Sequence, residues 1–204
     1  MEYGHWVEEQ NRQTSELRAA LQAHVSDIEL RMLVESALSH YDNLFRIKAI
    51  AAKSDVFYLM SGMWKTAAER FFLWIGGFRP SELLKVLSPQ LDPLTEQQVI
   101  AVGNLQQSSQ QAEDALSQGM DKLQQNLAET LTSDSSGTSA VSDYMGQMVN
   151  AMGKLEALVS FVNQQMYKIL TVRQAARGLL ALGDYFQRLR ALSSLWAARP
   201  REPA

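Results

Sequence analysis

No cysteine occurs among the 204 residues, which excludes a disulfide scaffold, a thiolate zinc site, a cysteine nucleophile and thiol redox control. Histidine is scarce. His5, His24 and His40 all fall in the first forty residues, and His24 and His40 share no i, i+4 spacing with each other or with a carboxylate in a metal-binding helix motif such as H-E-x-x-H. The phosphate-cradling G-x-x-x-x-G-K pattern and the G-x-S-x-G nucleophile elbow are both missing. A chain without these constellations is expected to hold no metal or cofactor and to be no enzyme. Nor is there an apolar run near the roughly 18 residues that span a bilayer, and Met1 to Gln10 carries Glu2, Glu8 and Glu9 where a signal peptide would be positive. No membrane partner is expected.

What is present is a globular composition, 46% hydrophobic and 20% charged, at a length that suits one good-sized core. The formal net charge of −3 is unevenly spread. Between Lys168 and Arg201 seven cations face only Asp184, so that stretch is strongly positive and the remainder strongly negative. A basic end on an acidic body could meet an acidic partner or DNA phosphate, or could simply be a solvated helix face.

Hydrophobic spacing predicts helices throughout. "SDIE" from Ser26 is a capping box, in which a serine oxygen accepts from a first-turn amide and the glutamate reaches back. Leu30, Leu33, Val34, Ala37, Leu38, Tyr41, Leu44 and Phe45 then mark one apolar face of a long helix expected to run to near Ser61. "TAAE" from Thr66 and "TEQQ" from Thr95 are further capping boxes. The second opens a long one-sided helix with its seam at Val102, Leu105, Ser109, Ala112, Leu116, Met120, Leu123, Leu127 and Leu131. No strand-like alternation and no internal repeat appears, so the expected fold is all-α, a bundle of long antiparallel helices with a short buried aromatic helix. Its divisions are residues 1–25, the tail of an upstream helix; 26–131, the first part of the domain; 132–143, a small polar flexible linker; and 144–204, the closing helices, read as about 144–162 and 165–198.

The stretch Met60 to Leu84, "MSGMWKTAAERFFLWIGGFRPSELL", concentrates aromatic residues around a glycine pair. Phe71, Phe72, Trp74 and Ile75 are apolar on nearly every side of a short helix, which is therefore expected to be buried and to end at Gly76–Gly77, with Pro80 opening the next helix. Trp64, Phe71, Phe72, Trp74 and Phe78 could be packing anchors or could line a pocket. With Arg79 they are the candidate partner- or ligand-binding residues, since aromatic and arginine side chains dominate interface energies. Nine methionines allow an adaptable groove or an ordinary core.

The segments "SGMWKTAAERFFLWIGGFRPSELLKVL", "PLTEQQ", "NLQQSSQQAEDALSQGMDKLQQNLAETL" and "RQAARGLLALGDYFQRLRALSSLWAARPRE" strongly resemble the C-terminal delay-of-germination (DOG) domain of the plant TGA-class bZIP transcription factors. The resemblance runs from about Met1 to the end. It implies a helical, non-enzymatic domain of transcription regulation in the nucleus, taking part in plant defence. It implies homo- or heterodimers with other TGA factors, and ankyrin-repeat coregulators of the salicylate pathway as partners. DNA-binding at TGACG elements is implied only through an upstream basic region and zipper, which this chain lacks. Phe71 stands where some relatives have a redox-active cysteine, and relatives carry about ten further residues between Gln164 and Gln165. The alternative reading is a helical binder of a small apolar ligand, a lipid or haem, in a cavity around Trp64, Phe72 and Trp74. DNA contact through the arginine-rich last helix is a third.

Overall fold

The computed structural model describes residues 2–61, 66–132 and 138–200, all of them helical or in turns apart from one isolated bridge between Trp74 and Gly77. Eight α-helices are described: α1 Glu2–Gln22, α2 Asp27–Ser54, α3 Val56–Ser61, α4 Ala67–Phe71, α5 Pro80–Leu87, α6 Glu96–Thr132, α7 Thr138–Ile169 and α8 Val172–Ala197. Their starts follow the capping chemistry of the sequence. Ser26, Thr66 and Thr95 each accept from the amide three residues on, while Glu29, Glu69 and Gln98 reach back to the cap amide. A fourth box, Thr171 with Gln174, opens α8. Each cap is worth about 1 kcal/mol.

The boundaries shift where a polar side chain offers the backbone a competing partner. The long second helix stops at Ser54, because Asp55 leaves helical geometry and its carboxylate accepts from the Tyr58 amide at 2.9 Å, capping α3 instead. The expected linker over 132–143 is narrower than its composition suggests. Thr132 closes α6, Thr138 to Asp143 already belong to α7, and 133–137 lie outside the described residues. α7 and α8 meet at Leu170–Thr171, later than the spacing suggested, since the Thr171 box sets the start. Across Gln164–Gln165, where relatives were expected to be longer, Leu155, Val162 and the half-buried Val159, Met166 and Ile169 continue one inward stripe without a break.

α6 and α7 form a long antiparallel hairpin whose facing seams pair Met120 with the level of Met148, and Leu105 with that of Val162. α2 lies against α7 and α8, and α1 against α2 and α8. The main core joins Trp6, Tyr41, Leu44, Leu59, Met120, Met148, Met152 and Leu155. A second cluster holds Leu17, Leu30, Val34, Ala175 and Ala176, where small residues let α8 come close. Gly183 does the same for α1: a Cβ there would stand 3.0 Å from the Thr14 hydroxyl. Along α1 the inward row is Trp6, Gln10, Thr14 and Leu17, with Gln10 Nε2 donating to the Tyr41 hydroxyl at 3.3 Å.

Met120, Met148 and Met152 serve as core, filling the irregular space between three long helices. Replacing the fully buried Met152 by alanine is expected to destabilise the fold by about 3 kcal/mol, read as a lowered midpoint in urea at unchanged slope.

Candidate functional site

The aromatic stretch is organised by two buried carboxylates. Glu69, fully buried in α4, accepts from the Thr66 amide (3.2 Å) and hydroxyl (2.9 Å) through one oxygen. Its other oxygen accepts from the Tyr3 hydroxyl (3.2 Å) and Arg190 Nε (3.1 Å). Burial and the neighbouring Glu69 charge push the Tyr3 phenol well above its ordinary pKa, so it stays a donor. One capping residue thereby fixes α4 to α1 and α8. The Ala68 amide adds a bond to the Ser193 hydroxyl at 2.7 Å.

Glu113 does the equivalent for α5 from another helix. Fully buried on α6, it accepts from the Ser81 amide at 2.7 Å and the Ser81 hydroxyl at 2.6 Å, so a carboxylate sits on the positive end of α5. Arg79, the residue before Pro80, reaches Glu113 at 3.8 Å and Asp114 at 3.3 Å. Its guanidinium lies 4.8 Å from the Trp74 ring centre, and Trp74 Nε1 donates to the Ser117 hydroxyl at 2.8 Å. Between the two short helices the chain reverses at Trp74–Gly77, with Ile75 (φ 44°) and Gly76 (φ 76°) both left-handed. Glycine adopts this readily, whereas a β-branched residue there is strained and is retained by its packing on the main core. A Cβ on Gly76 would come within 2.8 Å of Met152 Cε.

This arrangement corrects the expectation of a buried aromatic helix. The helix ends at Phe71, five residues before the expected Gly76 stop, and its inward face is taken by Ala68 and Glu69, whose partners lie on α8 and α1. Phe71 is 81% exposed and Phe72 46%, the two rings packed edge to face at 5.1 Å. Trp74 and Phe78 are half-buried, Phe78 against Phe186 at 5.0 Å, so these two and Arg79 are committed to internal contacts. Trp64 lies outside the described residues. Of the five described candidates only Phe78 lines either of the two cavities described next, so these five do not converge on one pocket.

Two small cavities lie elsewhere, between α2, α5, α7 and α8. One of about 90 Å³ is lined by Leu38, Leu84, Val162 and Leu179, and one of about 60 Å³ by Tyr3, Trp6, Phe45, Lys48, Glu156 and Arg190. Neither is lined by Phe72 or Trp74, so neither is the apolar-ligand cavity expected around Trp64, Phe72 and Trp74, of which Trp64 lies outside the described residues. Beside the smaller cavity, Lys48 Nζ faces Glu156 at 3.7 Å, with both residues buried. Burial lowers the lysine pKa and raises that of the glutamate, because each charge has left water.

The histidines and the basic end are also occupied structurally. The His40 ring stacks on Trp6 at 4.7 Å and contacts the Trp6 carbonyl at 2.9 Å, and His24 takes the left-handed position that ends α1. Among the described residues no group of three or more histidine, aspartate or glutamate side chains could hold a metal ion. No described helix is long and apolar enough to cross a membrane. Arg173 binds Asp27 and the Val25 carbonyl, Arg177 the Asp92 carbonyl and Arg190 Glu69, while Asp184 is paired with Arg18. Three of the seven cations in the expected basic stripe are therefore engaged within the fold, which leaves fewer of them for DNA contact along α8.

A helical body of this kind, tied by two buried carboxylates and without convergent reactive groups, is matched by known proteins along its length. Residues 13–89 match the DOG1 family, described as seed dormancy control. The chain carries a DOG1 domain over these residues and is similar along its whole length to TGA transcription factors. Transcription factor TGA4 of Arabidopsis thaliana is 68% identical over the whole chain, and transcription factor TGA1 of the same plant 65%. Transcription factor TGA2.2 of Oryza sativa subsp. japonica is 61% identical over 99% of it. The chain spans 58%, 57% and 65% of the lengths of these relatives. The alignment to TGA4 covers 213 residues against the chain's 204, in keeping with a DOG1 chain shorter internally than its relative.

Replacing Glu113 by alanine is expected to lower stability by about 3 kcal/mol, since the Ser81 amide and hydroxyl lose a charged acceptor in a buried site. Glu113→Gln should recover part of this, as measured by chemical denaturation. For the second buried site, Lys48→Met and Glu156→Leu are each expected to cost about 3 kcal/mol, but the double variant clearly less than either, because a lone buried charge is worse than none.

Proposed function

We propose that this chain is the coregulator-binding and self-association domain of a TGA-type transcription regulator. It acts in the nucleus by presenting helix surfaces, and it performs no catalysis. In this reading TGACG elements are bound by a basic-region and zipper portion of the whole regulator, and the present helices recruit ankyrin-repeat coregulators of the salicylate pathway. Homo- or heterodimers with other TGA factors belong to the same reading.

The observation that carries the proposal is the identity of 65–68% to TGA1 and TGA4 over the whole chain, which is more than a shared fold would require. The exposed face of α4 supports a site for it. Phe71 and Phe72 stand in water on a helix whose inward face is fixed by Glu69, so they are rigid anchors that lose little entropy on docking.

Phe71→Ala with Phe72→Ala is expected to weaken capture of a purified ankyrin-repeat coregulator at least ~10-fold while leaving the thermal midpoint within about 2 °C. Trp74→Ala should instead lower the midpoint. Unchanged capture by the folded double variant would remove the phenylalanines from the interface, and no capture by the native chain would remove the coregulator role.

A further inference from the structure

The last turns of α8 lack the cover that the rest of the helix has. Up to Leu189 its inward residues are buried, but from Ala191 to Ala197 only Ser193 is even half-buried. Leu192 is 51%, Leu195 72% and Trp196 62% exposed. Large apolar side chains exposed together on one helix end suit a docking surface. The adjoining helix extends it: Ser193 holds the Ala68 amide, and Phe71 follows three residues later, next to Phe72. Five large apolar side chains therefore face water on two elements joined by the Ala68–Ser193 hydrogen bond and the Glu69–Arg190 pair.

The charges on this surface are of one sign. Arg188 is exposed on α8, and its spacing to Leu192 and Leu195, four and then three residues, puts all three on one helical stripe. Arg199 lies one turn further on, its guanidinium 3.6 Å from the Trp196 ring centre. Arg70 is exposed on α4. Among the described residues from Tyr185 to Pro200 there is no aspartate or glutamate, and the only carboxylate of α4, Glu69, is fully buried and bonded to Arg190. The geometry points to a surface of α4 and the end of α8 that docks an acidic amphipathic helix, whose apolar face covers Leu192, Leu195, Trp196 and Phe71 while its carboxylates meet Arg188 and Arg199.

Charge decides between possible occupants. A second copy docked through the same surface would set Arg70, Arg188 and Arg199 against their own counterparts, which disfavours self-pairing here. A carboxylate partner gains at both ends of the stripe. The partner chemistry rests on the docking role proposed above, and it can fail while coregulator capture survives.

The test uses the whole chain and synthetic helical peptides of roughly 18 residues with one leucine face, flanked by glutamate, glutamine or lysine. Anisotropy should show the glutamate peptide binding at least ~10-fold tighter than the glutamine peptide at low salt, with the difference shrinking as salt rises. The double variant Arg188→Glu with Arg199→Glu should lose the glutamate peptide and gain the lysine peptide. Leu195→Ser with Trp196→Ala should lose both, with the helical circular dichroism unchanged. Equal binding of the glutamate and glutamine peptides, or no exchange of preference on charge reversal, would overturn the proposal. So would sedimentation showing a dimer that Leu195→Ser with Trp196→Ala dissolves, or tight binding of roughly 7:3 phosphatidylcholine–phosphatidylserine vesicles in place of the peptide.

Discussion

Two carboxylates taken out of water hold this fold in its particular shape. Glu69 and Glu113 each satisfy the amide at the start of a five- or eight-residue helix, and such helices are too short to persist on propensity alone. Burying an ion is costly unless every acceptor position finds a donor, and here the donors come from distant parts of the chain: Tyr3 and Arg190 for one, Ser81 with Arg79 nearby for the other. The segment from Thr66 to Leu87 is therefore a clamped insert between α6 and α8. Its conformation is set by electrostatics at two points and by aromatic packing between them.

Much of the architecture could be read from spacing. From Val102 to Leu127 the predicted seam of α6 is its buried or half-buried face, whereas Leu131 at its end is 69% exposed, and three capping boxes stand where the serine–glutamate, threonine–glutamate and threonine–glutamine patterns put them. What could not be read was which side of a short apolar helix turns inward. For Phe71 and Phe72 hydrophobicity favoured burial, yet the requirement to pair Glu69 rotated the helix so that the charged residue went in and the rings came out. That rotation depends on Arg190, 121 residues away, and no local pattern encodes it. The break at Asp55 and the cap at Thr171 were present as ordinary signals, an aspartate able to accept from the amide three residues on and a T-x-x-Q box, but were outweighed by the continuous apolar stripes around them.

The basic end shows the same limit. Counted along the sequence, its arginines form a stripe; in the fold, Arg173, Arg177 and Arg190 are tethers that fasten α8 to the α1–α2 corner, to the turn before α6 and to α4. Part of the charge that looked available for a polyanion is spent inside the molecule. Only the cations near the end of α8 remain beside apolar side chains, and that is a different kind of surface from a nucleic-acid groove.

Ser193 links two parts of this surface. It is the hydroxyl that satisfies the first-turn amide of α4, and it sits within the least covered length of α8. If those last turns fray, α4 loses that acceptor at the same moment, so the phenylalanine pair and the leucine–tryptophan row should open and close as one unit in hydrogen exchange. A partner that settles on either half would quiet the other, making the whole face a single cooperative element.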